Sequence, residues 1–324
     1  MNYRNLGRTS LEVSEIGFGA WGIGRSMWIG AEDDESLHAL TRAIDLGLNF
    51  IDTALAYGDG HSEQLVGQVL KQRDERIYVA TKVPPKNQQW PALAGTPYHD
   101  VFPTDWVLEC TERSLKNLDV DQLDLQQFHV WLDEWAEEPE WHSTVQLMKD
   151  RGLIRHFGIS INDHQPENAL AGIRAGLIDA VQVIYNIFDQ TPEERLFPTC
   201  QEYNVGVLAR VPLDEGGLTG KITPATTFPA GDWRNNYFRG DRKQHVYDRA
   251  QALEELLVGD GAAGDLPEAA LRFCISHPAV STVIPGMRKI RHVEANCAVS
   301  DKGPLPAHIL EELKAHAWPR NFYQ

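Results

Sequence analysis

The sequence predicts an α/β protein that folds as a single (β/α)8 TIM barrel with an N-terminal hairpin and long βα loops. Eight short runs that are apolar at consecutive positions alternate with amphipathic segments, which is the pattern of buried parallel strands connected by helices. The length of 324 residues would fit one barrel or two smaller domains. Because no linker or change of composition divides the chain, we expect residues 1–324 to form one domain.

The predicted strands come at intervals along the whole chain. They span residues 16–19, 49–53, 77–82, 123–129, 156–160, 181–185, 205–210 and 281–284. Apolar residues at helical spacing follow Asp33 and Thr104, and a third such stripe starts at Trp141. Proline suits the first turn of a helix, so we expect Pro166 to begin another one. The residues ahead of the first strand are typical of a small hairpin.

Two connections are longer than ordinary βα loops. One covers residues 83–103 and the other covers residues 211–243, and both contain several aromatic residues. Long ordered loops in a compact domain usually have a function. Since both follow strands, a barrel would place them at its C-terminal face, where the active sites of such barrels lie.

Composition narrows the possible partners. There are 30 Lys and Arg residues against 46 Asp and Glu residues, a formal net charge of −16, which argues against binding to nucleic acid or to an anionic membrane. The 4 cysteines form no C-x-x-C pair, so we expect neither a metal site nor a disulfide framework. Residues 1–16 lack the pattern of a signal peptide, and no apolar run reaches the length of a membrane span. We therefore expect a cytoplasmic protein with a small-molecule substrate.

Ionisable side chains end three successive predicted strands. Asp52, Lys82 and His129 occupy these ends, so a barrel would direct all three into one mouth. Tyr57 comes shortly after Asp52 and could fold back over that mouth. A phenol has a pKa of about 10, and a neighbouring ammonium such as that of Lys82 would lower it. Asp52 would hold Lys82 in place, and His129 would orient a substrate oxygen that receives a proton from Tyr57.

These residues lie in motifs that carry a family resemblance. Residues 52–67, which read D-T-A-x-x-Y-G-x-G-x-S-E-x-x-x-G, closely resemble the signature of the aldo-keto reductase superfamily. Lys82 at a strand end, the segment LDLQQFH at 123–129 and the segment IPGMR at 284–288 follow in the order expected of that superfamily. The resemblance covers almost the whole chain. It implies a (β/α)8 barrel that binds NADPH without a Rossmann domain.

The resemblance also implies a reaction and the residues for it. Asp52, Tyr57, Lys82 and His129 match the catalytic tetrad. Tyr57 would act as general acid or base while hydride moves between the nicotinamide and the carbonyl or hydroxyl carbon of an aldehyde, ketone or alcohol. The implied cofactor-binding residues are Trp21, Asp52, Ser160, Asn162, Gln182, Arg210, Pro212, Leu213, Gly216, Lys221, Gly286, Arg288, His292 and Asn296.

The implied cofactor residues fall into three groups. The residues at 160, 162 and 182 match the positions that hold the carboxamide of the nicotinamide. Residues 212–221 match the segment that crosses the pyrophosphate of the cofactor, and residues 286–296 match the positions around its adenosine. Arg288, Lys289 and Arg291 would precede or open a helix and would suit a ribose 2′-phosphate. We therefore expect NADP rather than NAD.

The sequence departs from the family pattern at three positions. Arg210 occupies the place where many relatives carry an aromatic residue stacked on the nicotinamide. A guanidinium can also stack, but it adds positive charge beside the ring. Ile161 separates Ser160 from Asn162, which are often adjacent in relatives, and His292 replaces a Gln or Arg.

The substrate-binding residues are expected to be mainly aromatic. The candidates are Trp21, Tyr57, Trp90, His129 and Trp131, with Trp28 as a further wall. They suit a carbonyl or alcohol substrate that is apolar or bears a ring, although sugars also stack on aromatic side chains. The sequence does not indicate the oligomeric state.

Three other interpretations of the sequence are less favoured. Residues 17–22 fit G-x-G-x-x-G by letter, but they do not open a helix, so a Rossmann fingerprint is not indicated. The superfamily also resembles ion-channel β-subunits that carry a nucleotide as a sensor, so a binding module is the alternative function. A Schiff-base lyase would need an uncharged Lys82, which the neighbouring Asp52 disfavours.

Overall fold

The chain begins with the predicted hairpin. In the computed structural model, which describes residues 1–259 and 261–321, β1 (Tyr3–Asn5) pairs antiparallel with β2 (Glu12–Ser14). Leu6 and Val13 are fully buried against side chains of the central strands, including Leu208. The hairpin thus covers the N-terminal ends of those strands.

The central strands form a closed barrel. They are β3 (Phe18–Gly19), β4 (Phe50–Asp52), β5 (Tyr78–Val83), β6 (Leu123–Phe128), β7 (Ile154–Ser160), β8 (Ala180–Ile184), β9 (Gly206–Arg210) and β10 (Val280–Val283). Each runs parallel to the next. Bridges from Ile16 to Val283 and from Gly19 to Gly286 join the first of these strands to the last. The predicted fold class, a (β/α)8 barrel with an N-terminal hairpin, is confirmed.

Helices connect the strands and surround the barrel. They are α1 (Asp33–Asp45), α2 (His61–Leu70), α3 (Tyr98–Val101), α4 (Thr104–Leu118), α5 (Pro139–Asp150), α6 (Leu170–Arg174), α7 (Leu196–Glu202), α8 (Arg234–Tyr237), α9 (Arg242–Glu254), α10 (Leu266–Ser276), α11 (Ile290–Lys302) and α12 (Ala307–Leu313). The apolar stripes predicted α1, α4 and α5 to within a few residues. Across the described part of the chain, no helix combines the length and apolar character needed to cross a membrane.

Local chemistry explains where α1 begins and ends. Its first turn holds Asp33, Asp34 and Glu35, whose negative charges favour the positive end of the helix dipole. Shortly after its last residue, Gly47 has a φ of 89°, a left-handed conformation that glycine adopts at low cost. The chain therefore leaves the helix there and turns into β4.

The helix expected to begin at Pro166 starts later. α6 begins at Leu170, and the residues before it form a turn. The carboxylate of Asp133 accepts hydrogen bonds from the backbone N–H groups of Ala171 (2.7 Å) and Gly172 (2.9 Å). The prediction from Pro166 is therefore wrong, because Asp133 supplies the acceptors for the first turn at a later position.

Both long loops are packed structures. The loop after β5 contains α3, and its residue Pro84 accepts a hydrogen bond of 2.8 Å from the indole of Trp106. The loop after β9 has an apolar cluster of its own, which includes Tyr237 and Phe238. Within it, Arg242 forms a buried ion pair with Asp214 at 2.8 Å. Each loop therefore has a fixed position at the C-terminal face.

Candidate active site

A buried ion pair joins the ends of β4 and β5. The Lys82 ammonium lies 2.7 Å from Oδ2 of Asp52 and donates a second hydrogen bond of 2.7 Å to the carbonyl oxygen of Thr53. Gln127, from β6, lies with its Nε2 3.4 Å from Oδ1 of the same aspartate. Desolvation lowers the pKa of Lys82, and the Asp52 carboxylate opposes that shift. Three neighbouring strands thus fix this charge pair.

Tyr57 lies on the loop after β4 and reaches back to the ion pair. The Nζ atom of Lys82 is 3.4 Å from the phenolic oxygen. Desolvation and then the Asp52 carboxylate raise the pKa of Tyr57 well above its ordinary value, and Arg210 opposes the rise. The expected lowering of this pKa is therefore wrong, because desolvation, and after it the Asp52 carboxylate, raises the pKa. The phenol keeps its proton, which is the state a general acid needs.

His129 completes the group of side chains around the mouth. Its ring stands edge-on to Tyr57, with centroids 5.6 Å apart, and to Trp90, with centroids 4.6 Å apart. Desolvation, followed by the charges of Lys82 and Arg210, lowers the pKa of His129 well below its ordinary value. The imidazole is therefore neutral near pH 7, and one ring nitrogen can donate a hydrogen bond to an oxygen.

Tryptophans from three loops surround the mouth. Trp21 stacks on Tyr57 with centroids 6.2 Å apart, and it also contacts Trp28 at 6.0 Å and Trp233 at 6.3 Å. Trp90, on the loop after β5, is 39% exposed although its ring contacts His129. These rings form apolar walls with one open side.

Trp131 is not part of these walls. It is completely buried, and its ring packs against Trp135 at 5.9 Å and Trp141 of α5 at 5.3 Å. Although Trp131 follows β6 closely, its side chain packs against α5, away from the mouth. This packing gives Trp131 a structural role between barrel and helix, and its contact with substrate stays a prediction.

Two loops meet above the mouth, and we call residues 27–29 and 232–234 the roof. The backbone N–H of Trp233 donates a hydrogen bond of 2.8 Å to the carbonyl oxygen of Met27. The guanidinium of Arg234 lies 4.3 Å from the ring centroid of Trp28. The sequence placed Trp233 on a long loop, but no local pattern indicated this contact with the loop after β3.

The residues predicted to hold a carboxamide lie on adjacent strands. Ser160 and Gln182 are paired in register on β7 and β8, and both are buried. The Nε2 atom of Gln182 has no hydrogen-bond partner among the described residues. A buried amide without a partner is costly, so this atom fits a ligand oxygen. Asn162 donates instead to the carbonyl of Ala92 at 3.2 Å, and its contact with a cofactor stays a prediction.

Arg210 ends β9 at the mouth. Its Nη2 atom donates hydrogen bonds to the carbonyl oxygen of Ile161 (2.8 Å) and to Oδ1 of Asp163 (2.5 Å). Asp163 is a residue that the sequence analysis missed. It follows a predicted strand by three positions, and this was the one available signal.

The segment predicted to lie across a pyrophosphate contains Asp214–Thr219, a short helical stretch interrupted by non-helical backbone, after Pro212 and Leu213. Gly216 has a φ of 104°, which favours glycine. Glu215 was also missed by the sequence analysis. Desolvation, and then the carboxylates of Asp214 and Asp163, raise the pKa of Glu215 to about 8.

A basic cluster lies at the start of α11, although the protein is acidic overall. Arg288 and Lys289 directly precede this helix. Burial lowers the pKa of His292, and the charges of Arg291, Lys221, Lys289 and Arg288 lower it further. Cations from two separate segments therefore act on the imidazole of His292. Arg210 does not belong to this cluster and lies beside the tetrad.

The remaining predicted cofactor residues border this cluster. Gly286 follows β10 and is exposed, whereas Asn296 lies in α11 and is buried. Arg288 donates a hydrogen bond of 3.2 Å to the carbonyl oxygen of Ile29 in the roof. Arg288 thus connects the basic cluster to the roof.

Comparison with known proteins places this arrangement in a family. Residues 15–317 match the Aldo/keto reductase family. Aldo-keto reductase YhdN of Bacillus subtilis is 30% identical over 301 residues, which are 91% of this chain and 87% of that protein. The holo form of aldo-keto reductase AKR11C1 from Bacillus halodurans superposes with a TM-score of 0.77 at 30% identity, covering 100% of this chain and 99% of that one. An aldo/keto reductase from Klebsiella pneumoniae, solved with NADP and acetate, gives a TM-score of 0.71 at 25% identity over 99% and 97% of the two chains.

The chain belongs to the aldo/keto reductase family and is an oxidoreductase. Members of this family use a nicotinamide cofactor and act on small carbonyl compounds.

Proposed function

We propose that this protein is an NADP(H)-dependent reductase of aldehydes and ketones, or a dehydrogenase of the corresponding alcohols. Tyr57 is the proton donor to the substrate oxygen, and His129 orients that oxygen. The contact that carries the proposal is the one between Lys82 and Tyr57 at 3.4 Å, with the same ammonium paired to Asp52. A protonated phenol and a neutral imidazole face the same walled mouth, as a general acid and a hydrogen-bond donor must.

The nicotinamide, when bound, supplies or accepts the hydride. Ser160 and Gln182 would hold its carboxamide, which is supported by the buried Nε2 of Gln182. Residues 212–216 would lie across the pyrophosphate. During reduction Tyr57 gives its proton to the developing alkoxide, and Lys82 lies close enough to stabilise the phenolate that remains. The aromatic walls limit the access of water to the reacting atoms.

We propose NADP as the preferred cofactor. The support is the basic cluster of Lys221, Arg288, Lys289 and Arg291, which suits a 2′-phosphate beside the first turn of α11. We also propose that the chain is one domain that works in the cytoplasm. The four buried free thiols are consistent with a reducing compartment.

The variant Tyr57→Phe tests the proposal. We expect turnover of simple aldehydes to fall by about 10²–10⁴-fold because the proton donor is lost. We expect the Kd of NADPH, measured by calorimetry, to change by less than about twofold. Tyr203→Phe, distant from the mouth, is the control and should keep full turnover. Undiminished reduction by Tyr57→Phe would contradict the assignment. Tight binding of NADPH by the unaltered protein, without turnover of any carbonyl compound, would favour the nucleotide-sensing alternative.

A further inference from the structure

The ion pair of Arg210 and Asp163 lies at the mouth and is largely buried. The two side chains are 19% and 20% exposed. Nη2 of Arg210 is 2.5 Å from Oδ1 of Asp163, and the same nitrogen donates to the carbonyl oxygen of Ile161 at 2.8 Å. Two acceptors on the loop after β7 therefore fix the guanidinium at the end of β9.

The charges of this pair act on the catalytic residues. Arg210 lowers the pKa of His129 and opposes the rise in the pKa of Tyr57. Asp163 acts in the opposite direction on Tyr57, whose pKa it raises. Both members are therefore close enough to the reacting groups for their charges to be felt there, and each partly cancels the other.

A nicotinamide ring carries a positive charge when oxidised and none when reduced. A guanidinium near the ring therefore weakens binding of the oxidised form more than that of the reduced form, and a carboxylate has the reverse effect. We propose that Asp163 is a positioning residue that holds Arg210 and balances its charge, so that the pair sets the relative affinity for NADP⁺ and NADPH. This inference rests on the proposed function, because it requires that the cofactor binds with its ring near Arg210.

If the ion pair had only a structural role, a different result would be expected. If the pair only joined the two loops, its loss would weaken both forms of the cofactor equally. The ratio Kd(NADP⁺)/Kd(NADPH) separates the two roles, since general loosening of the site cancels in the ratio. It is an equilibrium quantity and needs no turnover.

The experiment is calorimetric measurement of both dissociation constants at pH 7 for the unaltered protein and three variants. Asp163→Asn removes a negative charge beside Arg210, so the ratio should rise by about threefold or more. Arg210→Gln removes the positive charge of the pair, so the ratio should fall by a similar factor. Arg210→Lys keeps the positive charge, so its ratio of dissociation constants should stay within about twofold of that of the unaltered protein.

The possible results distinguish a failure of the role proposed for the Arg210–Asp163 pair from a failure of the proposed function. Binding of both cofactor forms with an unchanged ratio in Asp163→Asn and Arg210→Gln would overturn the inference and leave the proposed function intact. Failure of the unaltered protein to bind either form would overturn both. If Asp163→Asn does not fold, a fall of the ratio in Arg210→Gln supports the inference, and an unchanged ratio in that variant overturns it.

Discussion

The ammonium of Lys82 lies 2.7 Å from a carboxylate oxygen of Asp52 and 3.4 Å from the hydroxyl of Tyr57. One buried cation thus serves two partners, of which one neutralises it and the other is the proposed acid. Because the ammonium is fully excluded from water, either partner's removal should have effects that an exposed pair would not show.

Asp52→Asn should destabilise the fold strongly. It leaves a buried ammonium without its counter-charge, which costs about 3–5 kcal/mol. The control is Asp119→Asn, which breaks the exposed Lys71–Asp119 pair of 2.7 Å and should cost less than about 1 kcal/mol. Urea unfolding measures both. Equal losses in the two variants would show that Lys82 is not paired as described.

Glu215 should make stability fall as the pH rises. Its pKa in the folded protein is about 8, above the value of about 4.3 of an unfolded chain. The folded state therefore binds this proton more tightly, and stability is lost progressively as the pH rises from about 4 through about 8.

Glu215→Gln removes this titration. Between pH 6 and pH 9 its Tm should fall less than that of the unaltered protein, by about 2 °C or more. Glu202→Gln, on the exposed side of α7, should follow the unaltered protein. If the Tm of the unaltered protein and of both variants changed in parallel with pH, the raised pKa of Glu215 would be refuted.

Trp90 and Trp131 should respond oppositely to truncation. Trp131→Ala leaves a cavity in a fully buried layer and should cost about 3–5 kcal/mol in urea unfolding. Trp90→Ala, at a side chain 39% exposed, should cost far less but raise KM for aldehydes because a wall of the mouth is lost. The reverse pattern would support Trp131 as a substrate-binding residue.

Arg288→Ala should change cofactor preference. Loss of one charge-assisted contact would weaken the binding of NADP⁺ by about tenfold. The binding of NAD⁺, which lacks the 2′-phosphate, should change by less than about threefold. Lys71→Ala, at an exposed residue of a different surface, is the charge-matched control. Calorimetry with both cofactors gives the comparison. Equal weakening of the two would place the 2′-phosphate elsewhere or show that the residue acts only through its bond to Ile29.

Much of the fold could be predicted because barrel strands and helices have strong local patterns. The same periodicity predicted the position of the tetrad, since Asp52, Lys82 and His129 end successive strands, and parallel strands direct their ends to one face. The position of Tyr57 depended on the family motif, because nothing local dictates that its loop folds back.

The errors and omissions share one physical cause. The contacts of Trp131 with α5, of Asp133 with α6, and of Asp163 with Arg210 each join a loop to a different element of the fold. Periodicity describes which face of an element is buried, but it does not describe which loop will meet another. Burial of Trp131 and the late start of α6 are therefore visible only in the assembled structure.

The roof limits how the substrate specificity of this mouth can be changed by exchanging loops. Its two halves, residues 27–29 and 232–234, are far apart in the sequence, and a backbone hydrogen bond of 2.8 Å joins Trp233 to Met27. A change in the length of one loop would disturb this contact, so we expect that neither loop can be exchanged alone without altering the roof above Trp21. Transplanting the substrate range of this protein onto another barrel therefore requires both loops as a matched pair.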